Sequence, residues 1–317
     1  MKIIAFHENS LNIRGSSVSL YDYAHYNEIM LGNKSIILIP KSSIKERKND
    51  QIAINKFKKR FRLFFYDDFE QILEDEKCDV FYVIKYGTND GIFSRKIKTC
   101  VHCVFSMTEE HGDVYAGVSQ QIAEKFGKTL FVPHMISLEQ SKTDENLRAK
   151  LGIPLNGKVF GYHGGNDSFN ILFAIESVKR AVRVLDNIWF VFINIPKFDN
   201  HPNIFFLEKI TDPDEKNKFI STCDACIEAQ RYGQSFGLSL GEFSVNNKPI
   251  ITYGGYDVMN DNYKKILGNN ALYYNNQEEL MNIFSDFDKS LYINKDLNFY
   301  KEYSPEKVME QFAKIFL

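Results

Sequence analysis

No stretch of this 317-residue chain approaches 18 consecutive apolar positions, so it holds no segment able to span a membrane as a helix. The opening MKIIAFHENS has too short an apolar run for a secretory signal peptide and reads as a first strand, so a cytoplasmic chain is expected. An excess of one charge sign is also missing. Lys and Arg number 39 against 41 Asp and Glu, a formal net charge of −2, whereas proteins that coat nucleic acid are usually strongly basic. The five cysteines are odd in number and the chain is large, which argues against a disulfide scaffold. Cys100/Cys103 and Cys223/Cys226 have C-x-x-C spacing, which suits zinc. However, KTCVHCVFS reads as a strand, where residues three apart point to opposite faces, so buried free thiols are expected. GKT (127–129) lacks the earlier glycine of a P-loop, and no repeat of fixed period is visible.

What is present suits an ordinary globular chain. Hydrophobic residues make up 44% and charged residues 25%, and 27 Phe with 17 Tyr supply enough apolar bulk for two cores. The length fits about two domains. In the first part KIIAF (2–6), KSIILIP (34–40), FRLFFYD (61–67), CDVFYVIKYG (78–87) and CVHCVFS (100–106) read as strands. Between and after them, 17–31, a basic stretch before 61, and 119–127 read as helices, the last with a Ser start and a Gly stop. The polar, punctuated segment 137–157 reads as a boundary, after which the alternation begins again from KVFGYHGG. Such alternation implies α/β architecture with doubly wound parallel sheets, one per domain, facing a cleft. Ligands of such sheets bind beyond the carboxyl ends of strands, so the turns after strands are where chemistry is expected.

One of those turns stands out. GQSFGLSLGEFSVNNKPIIT (233–252) follows the strand DACIEAQ and carries Gly233, Gly237 and Gly241 at four-residue steps, then Glu242. Gly233 and Gly237 let backbone N–H groups approach a ligand closely, and the helix beginning at LSLGEFSV offers an N-terminus that favours anions. Glu242, one turn inside that helix, can accept hydrogen bonds from vicinal hydroxyls. An anion site beside a diol acceptor describes a nucleotide sugar; the plainer reading is a glycine-eased helix packed on a sheet.

The stretch resembles the nucleotide-sugar signature of retaining GT-B glycosyltransferases of the family 4 type. There an acid precedes Phe-Gly-Leu, and a second acid follows eight positions after the first. The second acid falls on Glu242, which the resemblance implies holds the donor ribose. Phe236, Gly237 and Leu238, with Ser235, would present backbone to the donor. The first acid, which contacts the donor sugar, falls on Gln234, an uncharged amide. Segments 113–138, 146–165, 269–284 and 304–317 also resemble the family, so the likeness covers the last two-thirds well and the first third by architecture alone. It implies an acceptor-side domain over 1–140, a donor domain over 141–303, and a closing helix, 304–317, that packs back on the first.

The resemblance implies further residues, each with a plainer reading. His102 lies near the family's N-domain histidine, with His111 and His134 as alternatives; a satisfied core histidine is the plain reading. Gly15, Ser16 and Ser17 match a glycine loop at a helix start, or are simple caps. Gly164, Gly165 and Ser168 occupy the turn near the donor phosphates, where the family's Arg and Lys are missing. Arg231 is then the cationic partner expected for the diphosphate, or else a surface ion pair. DPD (212–214) and DFD (286–288) look like metal motifs but sit at helix edges, where Asp caps N–H groups. KFKKRFR (56–62) suits contact with an anionic membrane or a lipid-linked acceptor, or is a solvated helix end.

The expected function is metal-independent transfer, with retention, of a sugar from a UDP- or GDP-linked donor to a glycan or lipid-linked acceptor, with no cofactor and no nucleic acid. The alternatives are a non-catalytic nucleotide-sugar-binding protein of the same fold, or a nucleotide-sugar epimerase or phosphorylase-like enzyme.

Overall fold

A computed structural model describes residues 1–255 and 260–317. They divide into two units, Met1–Ser137 with Glu302–Leu317, and Leu138–Lys301.

The first unit runs β1 (Ile3–His7), α1 (Gly15–Ile29), β2 (Lys34–Pro40), α2 (Ser42–Lys45), α3 (Gln51–Arg60), β3 (Arg62–Tyr66), α4 (Phe69–Asp75), β4 (Val80–Lys85), β5 (Lys98–Cys103), β6 (Val114–Gly117) and α5 (Gln120–Lys125). The strands form one parallel sheet in the order β3-β2-β1-β4-β5-β6. β4 is buried along its whole length, as a central parallel strand covered on both faces must be. The helix expected over 17–31 begins two residues earlier, at Gly15, and that expected over 119–127 is shorter. Ser119 caps the latter by accepting from Ile122 N, and Gly127, at φ +66°, ends the turn beyond it.

The second unit runs β7 (Lys158–His163), α6 (Leu172–Val184), β8 (Ile188–Ile193), β9 (Ile204–Leu207), α7 (Pro213–Thr222), β10 (Ala225–Ile227), α8 (Leu238–Val245), β11 (Ile250–Tyr253), α9 (Asn262–Leu267), β12 (Leu272–Tyr274) and α10 (Gln277–Asp286). Its parallel sheet has the order β12-β11-β10-β7-β8-β9. Counted from its own first strand this is the same order as in the first unit, so both are Rossmann-like. Each sheet reverses strand order once, between β1 and β4 and between β7 and β10, and those switch points are where such sheets bind ligands.

α11 (Pro305–Phe316) packs within the first unit. Val308, Met309, Phe312 and Phe316 are its buried stripe, at helical spacing. Phe312 stacks on Tyr23 at 5.2 Å and Phe316 meets His102 edge-on at 5.2 Å. Burying each ring contributes roughly 1.5–3 kcal/mol. Among the described residues no helix is long and apolar enough to cross a membrane. All five cysteines are free and buried.

Candidate functional site

The second unit's switch point collects the residues singled out from 233–252, together with partners the sequence did not reveal. Gly237 is the N-cap of α8, at φ +89°, a left-handed conformation that suits glycine. A Cβ there would lie 3.0 Å from the Tyr300 hydroxyl. Gly237 brings no side chain to cap α8, which leaves its first-turn N–H groups to be met by an anion. Gly233 is also left-handed, at φ +69°, and turns the chain back after β10.

Glu242 sits one turn inside α8 and is buried. Lys216 of α7 donates to its Oε1 at 2.6 Å, and His163 Nε2, from the end of β7, lies 2.9 Å from Oε2. Burial alone would push this carboxyl up; Lys216 and His163 outweigh it and hold the value down at about 2. Glu242 is therefore a carboxylate at neutral pH. A carboxylate offers about four lone-pair sites, so two contacts leave room for a diol. Neither Lys216 nor His163 was among the expected site residues. His163 stands inside the quoted turn GYHGG, while Lys216 lies 26 positions before its partner on another helix.

Glu228, just beyond β10, is the second residue sequence reasoning passed over. It is fully buried; Thr252 Oγ1 donates to its Oε2 at 2.6 Å and Gln230 N to its Oε1 at 2.6 Å. Burial raises its pKa, against these hydrogen bonds. Gln234 stands beside this carboxyl, yet its Nε2 is buried without an aligned partner among the described residues. Ser239 Oγ, in the first turn of α8, lies within reach of the Tyr162 hydroxyl and likewise has no aligned partner among the described residues. Two polar groups without an aligned partner among the described residues thus flank the start of α8.

The other expected donor residues are placed as follows. Ser235 and Phe236 are buried; the Phe236 ring packs on Tyr300 at 5.6 Å, and the Tyr300 hydroxyl donates to its carbonyl at 3.2 Å. Leu238 is half-buried as the first residue of α8. In the turn after β7, a Cβ on Gly164 would lie 2.3 Å from Ser168 Oγ. That hydroxyl donates to the Gly165 carbonyl at 2.6 Å, closing the turn on itself. Arg231 is exposed; its backbone N–H donates to Asn170 Oδ1 at 2.9 Å and its guanidinium lies 6.0 Å from the Tyr232 ring centroid.

In the first unit, Gly15 and Ser16 open α1, whose N-cap, Arg14, makes no side-chain cap bond. Ser17 Oγ donates to Glu8 Oε2 at 2.6 Å, so the serines here tie α1 to the end of β1 rather than capping the helix. Burial lifts the Glu8 carboxyl to about 7, against hydrogen bonds from Ser16 and Ser17. His102 is wholly buried in β5. Its Nε2 donates to Val132 O at 2.8 Å, which leaves Nδ1 to accept from the Tyr82 hydroxyl at 2.6 Å. Burial lowers its pKa to about 4. Of its two readings, these partners match the satisfied core histidine, and they leave it no nitrogen for a substrate. His134 is buried beside Tyr23. His111 donates from Nδ1 to Glu109 O at 2.6 Å and meets Lys85 Nζ through Nε2 at 3.1 Å.

Asp212 caps α7, accepting from Asp214 N at 3.0 Å and Glu215 N at 3.1 Å, and Asp288 accepts from Ser290 N at 2.9 Å. Among the described residues no group of three or more His, Cys, Asp or Glu is placed to hold a metal ion. In 56–62, Lys56 lies 4.2 Å from the Tyr21 ring centroid, and Arg60 and Arg62 pair with Glu28 and Glu76.

No family model matches the sequence, and no curated protein sequence matches it. Solved structures do. The chain is similar to Alr3699/HepE of Anabaena, solved with UDP and glucose, at 13% identity and a TM-score of 0.71, covering 99% of each chain. It is similar to sucrose-phosphate synthase of Thermosynechococcus elongatus at 11% identity and a TM-score of 0.62, over 100% of this chain and 95% of that one. It is similar to WaaG, a glycosyltransferase involved in lipopolysaccharide biosynthesis, at 10% identity and a TM-score of 0.61, over 99% of each. These likenesses establish the fold: the chain has the two Rossmann-like units of the GT-B glycosyltransferases.

Proposed function

We propose that the chain is a glycosyltransferase that takes a sugar from a UDP- or GDP-linked donor, with retention at the anomeric carbon and without a metal, and delivers it to a glycan or lipid-linked acceptor. The observation that carries this reading is Glu242. It is a buried, ionised carboxylate one turn inside a helix whose uncapped N-terminus follows a left-handed glycine. An anion-binding helix end and a diol acceptor on one short segment match the diphosphate and the ribose of a nucleotide sugar. The neighbours solved with UDP and UDP-glucose support it at the level of fold.

The chemistry such a site offers is positioning together with stabilisation of the departing diphosphate by α8 backbone N–H groups. Lys216 keeps Glu242 charged. Gln234 and Ser239, which have no aligned partner among the described residues, bring polar groups for hydroxyls of the donor sugar. A second reading, a binding protein without turnover, is favoured by one feature, the amide of Gln234 where the resembled signature has an acid.

A thermal-shift screen of UDP, GDP and their sugars tests the first step, because a ligand that binds only the folded state raises its melting temperature. Donor hydrolysis or transfer by the purified protein then separates enzyme from binder. No shift with any nucleotide sinks both readings.

A further inference from the structure

Tyr86 and Phe105 are among the large apolar side chains the fold leaves in solvent, at 59% and 41% exposure. They lie side by side, ring centroids 5.5 Å apart and planes tilted by 37°. Tyr86 directly follows β4 and Phe105 lies two residues beyond β5, both at the carboxyl edge of the first unit's sheet, where such sheets bind ligands. Their backbone is rigid. Pairing continues past the strand ends, with Val104 N donating to Lys85 O at 2.9 Å, and Phe105 N and Ser106 N both donating to Tyr86 O at 3.0 Å. Gly87 locks the two segments together: it adopts φ +124°, and a Cβ there would fall 1.7 Å from Ser106 O. The fold thus holds two large rings in water on fixed backbone, where packing alone would have turned them inward.

The rim states what they can hold. Thr88, Asn89, Asp90, Thr108 and Glu109 are all exposed on the two turns that carry the rings. Lys85, the cation beside them, is buried and spends its ammonium on Asp90, Ile92 O and His111. With Asp90 neutralised by Lys85, the rim offers the hydroxyls of Thr88 and Thr108, the Asn89 amide and the Glu109 carboxylate, whose charge repels phosphate and anionic lipid. An apolar ring face bordered by hydrogen-bond acceptors fits a pyranose, whose axial C–H groups make one flat apolar face and whose hydroxyls radiate at the edge.

We infer that Tyr86 and Phe105 form the platform on which a neutral pyranose ring of the acceptor glycan stacks, with the exposed groups at 88–90 and 108–109 addressing its hydroxyls. This rests on the transferase reading and names the acceptor class that reading leaves open.

Saturation-transfer NMR on the full chain tests it, with methyl glycosides of glucose, galactose, mannose, rhamnose and N-acetylglucosamine as probes. At least one glycoside should receive saturation at its ring C–H protons. Tyr86→Ala with Phe105→Ala should weaken that binding by about tenfold or more, while Phe105→Tyr retains it. Both rings are exposed, so the variants should fold; should the double variant lose its thermal transition, Tyr86→Ser alone carries the test. No signal for any glycoside with the wild type, or a signal unchanged in the variants, overturns the platform. So does ring-dependent binding to vesicles containing phosphatidylglycerol, which would make the pair a lipid contact. UDP binding, followed in parallel by thermal shift, reports the donor reading separately: its loss refutes the transferase, and its presence without glycoside binding refutes the platform alone.

Discussion

Lys216 Nζ lies 2.6 Å from Glu242 Oε1, so a cation on α7 fixes the charge of the carboxylate that α8 carries one turn inside its N-terminus. The pair crosses 26 positions of sequence and joins two helices that flank β10. Removing Glu242 should therefore be felt by a nucleotide. Glu242→Ala should weaken nucleoside diphosphate binding by roughly 1.5–3 kcal/mol, the range for hydrogen bonds to charged groups. Calorimetry on the folded variant decides it, and unchanged affinity would take Glu242 out of the site.

The same pair gives a pH dependence of stability. The folded-state pKa of Glu242 is depressed from 4.5 to about 2, so its contribution is complete above the unfolded value and disappears as pH falls through the folded one. Denaturant titrations should show this loss between about pH 4.5 and pH 2. Lys216→Met removes the main opposing charge, so the folded pKa rises and the loss moves to higher pH. An identical acid limb in wild type and Lys216→Met would mean that the ion pair does not hold Glu242 down.

His102 makes a contrasting prediction, because its partners make it part of the core. His102→Phe leaves the Tyr82 hydroxyl and the Val132 carbonyl unpaired and should destabilise the first unit by about 2–4 kcal/mol. Turnover per folded molecule should stay within about twofold, whereas a general acid or base would cost on the order of a hundredfold or more. Its folded pKa of about 4 lies below 6.5, so protonation favours the unfolded chain and stability declines as pH falls from 6.5 to 4. His7, which burial and Lys85 hold near 3, adds to the same slope, so the variant should flatten it without abolishing it. A fall in kcat with an unchanged melting temperature would return His102 to the chemistry.

What the sequence made legible, and what it hid, follow from how far apart the interacting parts lie. The alternation of apolar and amphipathic runs is local, and it was enough to read two doubly wound sheets. Phe236-Gly237-Leu238 with Glu242 is one contiguous stretch with an unusual run of glycines, and its turn-then-helix form was legible too. Lys216, Glu228 and Glu8 were not. Nothing around Lys216 in DEKNKF separates it from a solvated helix lysine until α7 is laid beside α8. Glu228 sat inside what reads as one apolar strand, DACIEAQ; β10 in fact ends at Ile227, and the acid begins the turn. Glu8 follows an apolar strand in a polar stretch that reads as surface, and only α1 folding over it buries the carboxyl. α9 was also missed: no apolar period marks its six residues, and no side chain caps it.

Metal independence is open to a direct test. Because Asp212 and Asp288, one from each of the DPD and DFD segments, act as caps, transfer should survive EDTA, with a rate within about twofold of the untreated protein, as surface groups away from chemistry allow. Full loss on chelation, restored by manganese or magnesium, would mean that carboxylates gather around a donor-bound ion.

Gln234 decides between enzyme and binder. Its Nε2 is buried within reach of the Glu228 carboxyl but without an aligned partner among the described residues, so the amide can turn its donor to a ligand. An amide both donates and accepts, whereas a carboxylate only accepts. Gln234→Glu also sets a second carboxyl next to Glu228, whose pKa is already raised, and like charges at close range disfavour ionisation further. The variant should therefore alter sugar preference or turnover, and do so more strongly at high pH, while bare diphosphate affinity stays nearly constant. Gln234→Ala should lower transfer more than diphosphate affinity, because the contact it removes is to the sugar. If the natural protein only binds, Gln234→Glu could instead create turnover where the wild type shows none. The measurement is turnover of a panel of UDP- and GDP-sugars by wild type and both variants, with diphosphate affinity determined for each. Equal rates on one donor from all three would put Gln234 outside the sugar pocket, and with it the alignment of the signature at its first position.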